Sequence, residues 1–93
     1  MSEMKTVLVI DDEPDAVQIV ETMLSEVEGV VVESASDADS GLARVRESKP
    51  DMILLDVQMP GKSGFDVFTE LKKDEATADV PVVMLTGVAD KTG

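Results

Sequence analysis

Apolar and polar positions fall into blocks that alternate along the chain. Val7-Leu8-Val9-Ile10 is a run of four apolar, mostly β-branched residues, the pattern of a strand buried on both faces. It stops at Asp11-Asp12-Glu13-Pro14, where proline suits a first helical turn and acidic side chains suit the positive end of a helix dipole. Val17, Val20, Leu24 and Val27 then recur at spacings of three and four. That stripe predicts a helix running to about Glu28, with Gly29 as its stop. Val30-Val31-Val32 predicts a second strand, and Ser36 a cap for a second helix with Ala38, Leu42 and Val45 on one face; Pro50 ends that connection. Met52-Ile53-Leu54-Leu55 predicts a third strand that runs straight into Asp56. After the turn-rich segment Met59-Pro60-Gly61-Lys62-Ser63-Gly64 comes a third helix carrying Phe65, Phe68 and Leu71. Pro81 introduces a fourth strand, Val82-Val83-Met84-Leu85, which ends at Thr86-Gly87, and Val88 to Gly93 complete no further element.

Strands alternating with helices of this length read as consecutive βαβ units, hence a parallel sheet with helices on both faces. Right-handed crossovers leave few topologies open. The polar residues then acquire a position: Asp11 and Asp12 close strand one, Asp56 closes strand three and Thr86 closes strand four. In a parallel sheet those ends share one edge, where open α/β folds bind their ligands.

Composition narrows what such an edge could do. The chain has 93 residues, which predicts one domain over residues 1–93, and 43% are hydrophobic, enough to fill a core despite a net charge of −12. Only Phe65 and Phe68 are aromatic, so that core must be aliphatic. His and Cys are absent, which excludes an imidazole base, a thiolate nucleophile, a disulfide framework and a Cys/His zinc site. The acidity repels phosphate backbones and anionic membranes, so direct nucleic-acid or membrane binding is not expected. No apolar run approaches the roughly 18 residues that span a bilayer, and the start of the chain lacks the form of a signal peptide; a cytoplasmic location is expected.

Oxygen chemistry remains. If strands one and three are neighbours, Asp11, Asp12 and Asp56 converge, and their mutual repulsion raises some pKa values and couples the titrations. A divalent cation removes that repulsion, and a donor set without His or Cys suits Mg²⁺, with Mn²⁺ as a substitute. An aspartate beside such a metal is a candidate nucleophile toward phosphorus; Thr86 could donate to a phosphoryl oxygen, and the small Gly87 would let the backbone approach it. Each element also has a plainer reading. Asp11-Asp12-Glu13 can be a solvated helix start, Asp56 an Asx turn, Met59-Pro60-Gly61 loop punctuation and Thr86 a β-branched strand residue. The coincidence of all four on one sheet edge favours the combined site.

With these residues in view, the sequence resembles the receiver domain of bacterial response regulators, the phosphoacceptor half of two-component signalling. The matching segments are Val7 through Glu13, Ile53 through Gly61, Ser63-Gly64-Phe65 and Pro81 through Gly87. The resemblance implies a flavodoxin-like three-layer α/β/α fold with strand order 2-1-3-4. It implies that Asp56 accepts a phosphoryl group from a phosphohistidine of a sensor kinase, from a phosphotransfer protein or from a small phosphodonor. By the same resemblance Asp12 would bind Mg²⁺ directly, Asp11 directly or through water, and the backbone carbonyl of Gln58 would be a further ligand. Thr86 would be the switch hydroxyl, Gly87 would lie near the phosphoryl group, and the side chains of Gln58 and Val88 would tune hydrolysis of the acyl phosphate. A domain of this kind assists its own phosphorylation and dephosphorylation and is not a multiple-turnover enzyme.

The family resembles a longer chain, with a fifth strand ending in a phosphoryl-pairing lysine and a last helix after it. Here the chain stops at Gly93, and Lys91 is read as a solvated lysine. The expectation is therefore a receiver that is incomplete at its C-terminus, with strand four exposed to homodimerisation or exchange of elements. Two rivals stand beside the phosphoacceptor. One is a non-phosphorylated scaffold or dimerisation module. The other is a haloacid-dehalogenase-type phosphatase, which would need a second Asp where Gln58 stands.

Overall fold

A computed structural model of the chain describes residues 4–59 and 61–85. The elements follow in the order β1 (Lys5–Ile10), α1 (Pro14–Leu24), β2 (Val30–Ala35), α2 (Ala38–Ser48), β3 (Met52–Asp56), α3 (Gly64–Lys73) and β4 (Val82–Leu85). The strands form one parallel sheet in the order β2-β1-β3-β4, as the βαβ reading requires. The chain moves one way across the sheet from β1 to β2, and the opposite way from β2 to β3 and β4. Right-handed crossovers therefore put α1 on one face and α2 and α3 on the other. The result is the three-layer α/β/α arrangement.

Strand alternation divides the apolar residues between the two faces. Leu8, Ile10, Ile53 and Leu55 are fully buried and join Ala38, Leu42 and Val45 of α2 and Val67 and Leu71 of α3 in a single core. That core is aliphatic, as the composition demanded. Its aromatics sit elsewhere: Phe65 and Phe68 lie on the outer side of α3, 59% and 36% exposed, and the buried face of the helix is Gly64, Val67 and Leu71. Of the three residues that the sequence reading placed on this helix, Leu71 alone is buried, and Ser63 and Asp66 form a reciprocal capping box at the helix N-terminus.

Two helix boundaries also differ from expectation. The first helix ends at Leu24 and not near Glu28. The Ser25 hydroxyl donates to the Thr22 carbonyl at 2.7 Å and the Val27 amide turns back to Leu24 at 3.0 Å, which closes the helix in a turn. No basic residue stands in the last turn of α1, and Glu26 and Glu28 are set against the negative end of the dipole, so extension would be disfavoured. Gly29, with φ 82°, starts the approach to β2 instead. In α2 the cap is Asp37, whose carboxylate accepts the Ser40 amide at 2.8 Å, and not Ser36. That bond also holds the Asp37 carboxyl below its ordinary value. Asp37→Ala is expected to lower stability by about 1 kcal/mol and Ser36→Ala to leave it nearly unchanged, read from urea midpoints.

Candidate functional site

β1 and β3 pair in register up to Ile10 opposite Leu55. One step further along both strands therefore brings Asp11 and Asp56 side by side at the carboxyl edge of the sheet. Asp12 follows at the approach to α1. One carboxylate oxygen from each of Asp11, Asp12 and Asp56 lies within 4.8 Å of the others. The sequence expectation of a convergent cluster holds for these three residues. They differ in exposure: Asp11 is buried, Asp56 half-buried and Asp12 exposed.

Local backbone bonds aim the carboxylates. The Asp11 amide donates to the Ala35 carbonyl at 3.1 Å, which ties the end of β1 to the end of β2. The Asp11 side chain then accepts the Glu13 amide at 2.9 Å. Asp56 repeats this turn, accepting the Gln58 amide at 3.2 Å, while the Val57 amide donates to Leu85 at 3.2 Å. The Asx-turn reading of Asp56 is thus correct, Asp11 makes the same turn, and neither turn competes with a site. Each turn engages one oxygen and fixes the direction of the group.

Partial burial is the main cause that pushes the Asp56 carboxyl up from 3.8 to about 6. The Gln58 amide acts against it by favouring the charged form. The charge and hydrogen bond of Asp11, and then the charge of Asp12, reinforce it. A shallow cleft of about 220 Å³ opens beside the cluster, lined by Asp11, Asp12, Pro14, Val17, Ser34, Ala35 and Ser36. The larger concavity, about 550 Å³ along Asp15, Gln18, Ile19, Thr22 and Met23, carries a single carboxylate and no converging polar set. The converging polar groups therefore lie at the sheet edge. An all-oxygen donor set of converging, mutually repelling carboxylates fits a hard divalent cation such as Mg²⁺.

Thr86, Gly87, Val88 and Lys91, singled out in the sequence, lie outside the described residues. Gln58 is described and exposed, on the loop that leaves β3. One residue near the site was named only within a turn and a family-matching segment, with no role of its own: Gly64, the first residue of α3, whose amide donates to the Val57 carbonyl at 2.9 Å. A glycine directly after a serine cap, in an otherwise regular helical start, was the available signal.

Known proteins agree with this geometry. A family model described as the response regulator receiver domain matches residues 7–92. The chain is 41% identical over 85 residues to the DNA-binding dual master transcriptional regulator RpaA of Synechocystis sp., covering 91% of this chain and 35% of that protein. It is 37% identical over 83 residues to Protein PilH of Pseudomonas aeruginosa, covering 89% and 68% respectively. Several curated relatives are longer still, so that this chain spans only 32% to 38% of them. Among solved structures, the N-terminal domain of a response regulator receiver protein from Methanoculleus marisnigri JR1 superposes with a TM-score of 0.83 at 36% identity, over 88% of this chain and 66% of that one. The response regulator TrrA of Thermotoga maritima, solved in complex with Mg(2+)-BeF, gives 0.82 at 32% identity, over 92% and 72%. From the sheet order, the position of its three aspartates and these matches, the chain belongs to the response regulator receiver domain family of two-component signalling proteins.

Proposed function

We propose that this chain is a phosphoacceptor in a phosphorelay. A carboxylate oxygen of Asp56 attacks the phosphorus of a phosphohistidine on a sensor kinase or phosphotransfer protein. The new P–O bond forms as the P–N bond to the imidazole breaks, and the released imidazole nitrogen takes up a proton. The observation that carries this reading is the convergence of Asp11, Asp12 and Asp56 at the end of adjacent central strands. Asp11, Asp12, Asp56 and the Gln58 carbonyl are the groups to hold Mg²⁺. The ion supplies charge neutralisation for the three carboxylates and for the incoming phosphoryl oxygens. Asp11 is held by the Glu13 amide and Asp56 by the Gln58 amide, so neither needs to reorganise when the charges are met. That the Thermotoga maritima relative was solved in complex with Mg(2+)-BeF supports a Mg²⁺ site in this chain.

The donor histidine lies outside these 93 residues, which contain none. A scaffold used only for protein contacts would have no need of three carboxylates pressed together, and that rival is not favoured. The phosphatase rival lacks its acid/base residue, because Gln58 stands in that place. Among the described residues no helix is long and apolar enough to cross a membrane.

The test is intact mass after incubation with acetyl phosphate. The expected result is a gain of one phosphoryl group with Mg²⁺, discharged by hydroxylamine and absent with a chelator. No gain from either acetyl phosphate or phosphoramidate, at a Mg²⁺ concentration that saturates the protein, would sink the reading.

A further inference from the structure

The start of α3 lies against the backbone at the end of β3, and Gly64 makes the contact. Gly64 is buried, and its amide donates to the Val57 carbonyl at 2.9 Å. A Cβ added at Gly64 would lie 2.8 Å from the Val57 Cα and 3.0 Å from the carbonyl carbon of Asp56, with the Asp56 carbonyl oxygen nearer still. All of these neighbours are backbone, so no rotamer change could relieve the overlap; the strand end or the start of α3 would have to move. The start of α3 is itself held by the Ser63–Asp66 capping box. Of the two sides, the turn that carries Asp56, Val57 and Gln58 is the one whose displacement reaches the carboxylate cluster.

We infer that Gly64 is a positioning residue for the carboxylate cluster: the missing side chain lets α3 seat against the backbone of Asp56 and Val57, and that seat sets how the Asp56 carboxylate faces Asp11 and Asp12. It touches neither the cation nor the phosphoryl group. It acts through the Asp56 turn, whose Gln58 amide to carboxylate bond depends on the loop path. Groups that orient metal ligands from behind commonly change metal affinity by roughly 10- to 100-fold when altered.

Gly41 provides the contrast. The three atoms nearest a Cβ there all belong to the Ile10 side chain, with Cδ1 at 2.6 Å, and a side chain can turn aside at some loss of packing. Gly41→Ala thus perturbs the core without pressing on the Asp56 turn.

The inference rests on the reading of the cluster as a cation site, and one experiment separates the two. Mg²⁺ alone is titrated into the parent chain, Gly64→Ala and Gly41→Ala, followed by the amide signals of Glu13 and Gln58, which report the carboxylates they contact. Gly64→Ala is expected to weaken Mg²⁺ affinity by roughly tenfold or more, and Gly41→Ala to stay within about twofold of the parent. A folded Gly64→Ala within about twofold of the parent, or an equal loss in Gly41→Ala, overturns the inference while leaving the site reading intact. A parent chain whose two amides do not respond to Mg²⁺ removes the site reading and this inference with it. Should Gly64→Ala fail to fold, Ser63→Ala carries the test, since it loosens the seat of α3 without adding an atom. Its affinity is expected to fall by about threefold, and an unchanged value overturns the inference.

Discussion

Asp56→Ala and Asp56→Asn are each expected to abolish labelling by a phosphodonor, and metal-free Asp56→Asn is expected to be more stable than the parent at about pH 7.5. The first effect follows from the absence of a substitute. The chain has no His or Cys, and Asp11 has its side chain buried and committed to the Glu13 amide. The second follows from linkage. Burial and the nearby Asp11 and Asp12 raise the Asp56 carboxyl from 3.8 to about 6, so between those values the folded protein binds more protons than the unfolded chain. Stability of the parent therefore falls as pH rises through that window and stays lower above it. Asparagine carries no charge to be repelled and has no such loss. The site is half open to solvent, which screens the penalty to on the order of 1 kcal/mol, or about 4–8 °C in melting temperature for a domain this small. The advantage should vanish below about pH 4, where both forms are neutral at this position. Mg²⁺ should raise the melting temperature of the parent by mass action and that of Asp56→Asn much less. Melting curves with chelator and with Mg²⁺ across that pH range check the whole pattern. Equal melting temperatures of the two metal-free proteins at about pH 7.5 would show that burial and the neighbouring carboxylates do not raise the Asp56 carboxyl.

Ile53→Ala is expected to lower stability by about 3 kcal/mol, with a range of roughly 2–5 kcal/mol for such truncations in well-packed cores. Ile53 is fully buried on the central strand β3, opposite Leu8 of β1 and Val82 of β4, and its amide donates to the Pro81 carbonyl at 3.0 Å. Strands on both sides hold its backbone in place, so the cavity cannot collapse easily. For a domain of this length total stability is on the order of 5–14 kcal/mol, so one truncation removes a large share of it. Ile19→Ala provides the contrast: Ile19 is 57% exposed on the outer side of α1 and should change stability by no more than about 0.5 kcal/mol. Urea midpoints measured with unchanged slopes decide between them. Equal losses for Ile19 and Ile53 would contradict the division of the sheet faces.

The strands were legible because their signal is local. The unbroken run Val7 through Ile10 is buried on both faces, whereas Val82 through Leu85 forms β4 with Val83 43% exposed, and the structure extends β1, β2 and β3 by one to three residues without moving them. The helix faces were less legible. Val17, Val20 and Leu24 form the expected stripe, yet no residue of α1 is fully buried, whereas Ala38, Leu42 and Val45 on α2 are. The same periodicity serves a half-covered face in one helix and a closed core in the other. On α3 the largest side chains are not the buried ones: Phe65 and Phe68 are exposed, and the inner face is Gly64, Val67 and Leu71.

For the candidate site, residue types and their order were enough to nominate Asp11, Asp12 and Asp56, because each ends an apolar run and the donor set excludes nitrogen and sulfur. Sequence alone thus determined the class of fold, the aliphatic core and the oxygen chemistry, all of which depend on composition and short-range pattern. Only the tertiary structure decided that β1 and β3 lie side by side in a register that brings the three carboxylates together. It also decided that Gly64 must lack a side chain. Both depend on pairings between segments far apart in the chain, where distance is set by packing and not by the residues adjacent in sequence.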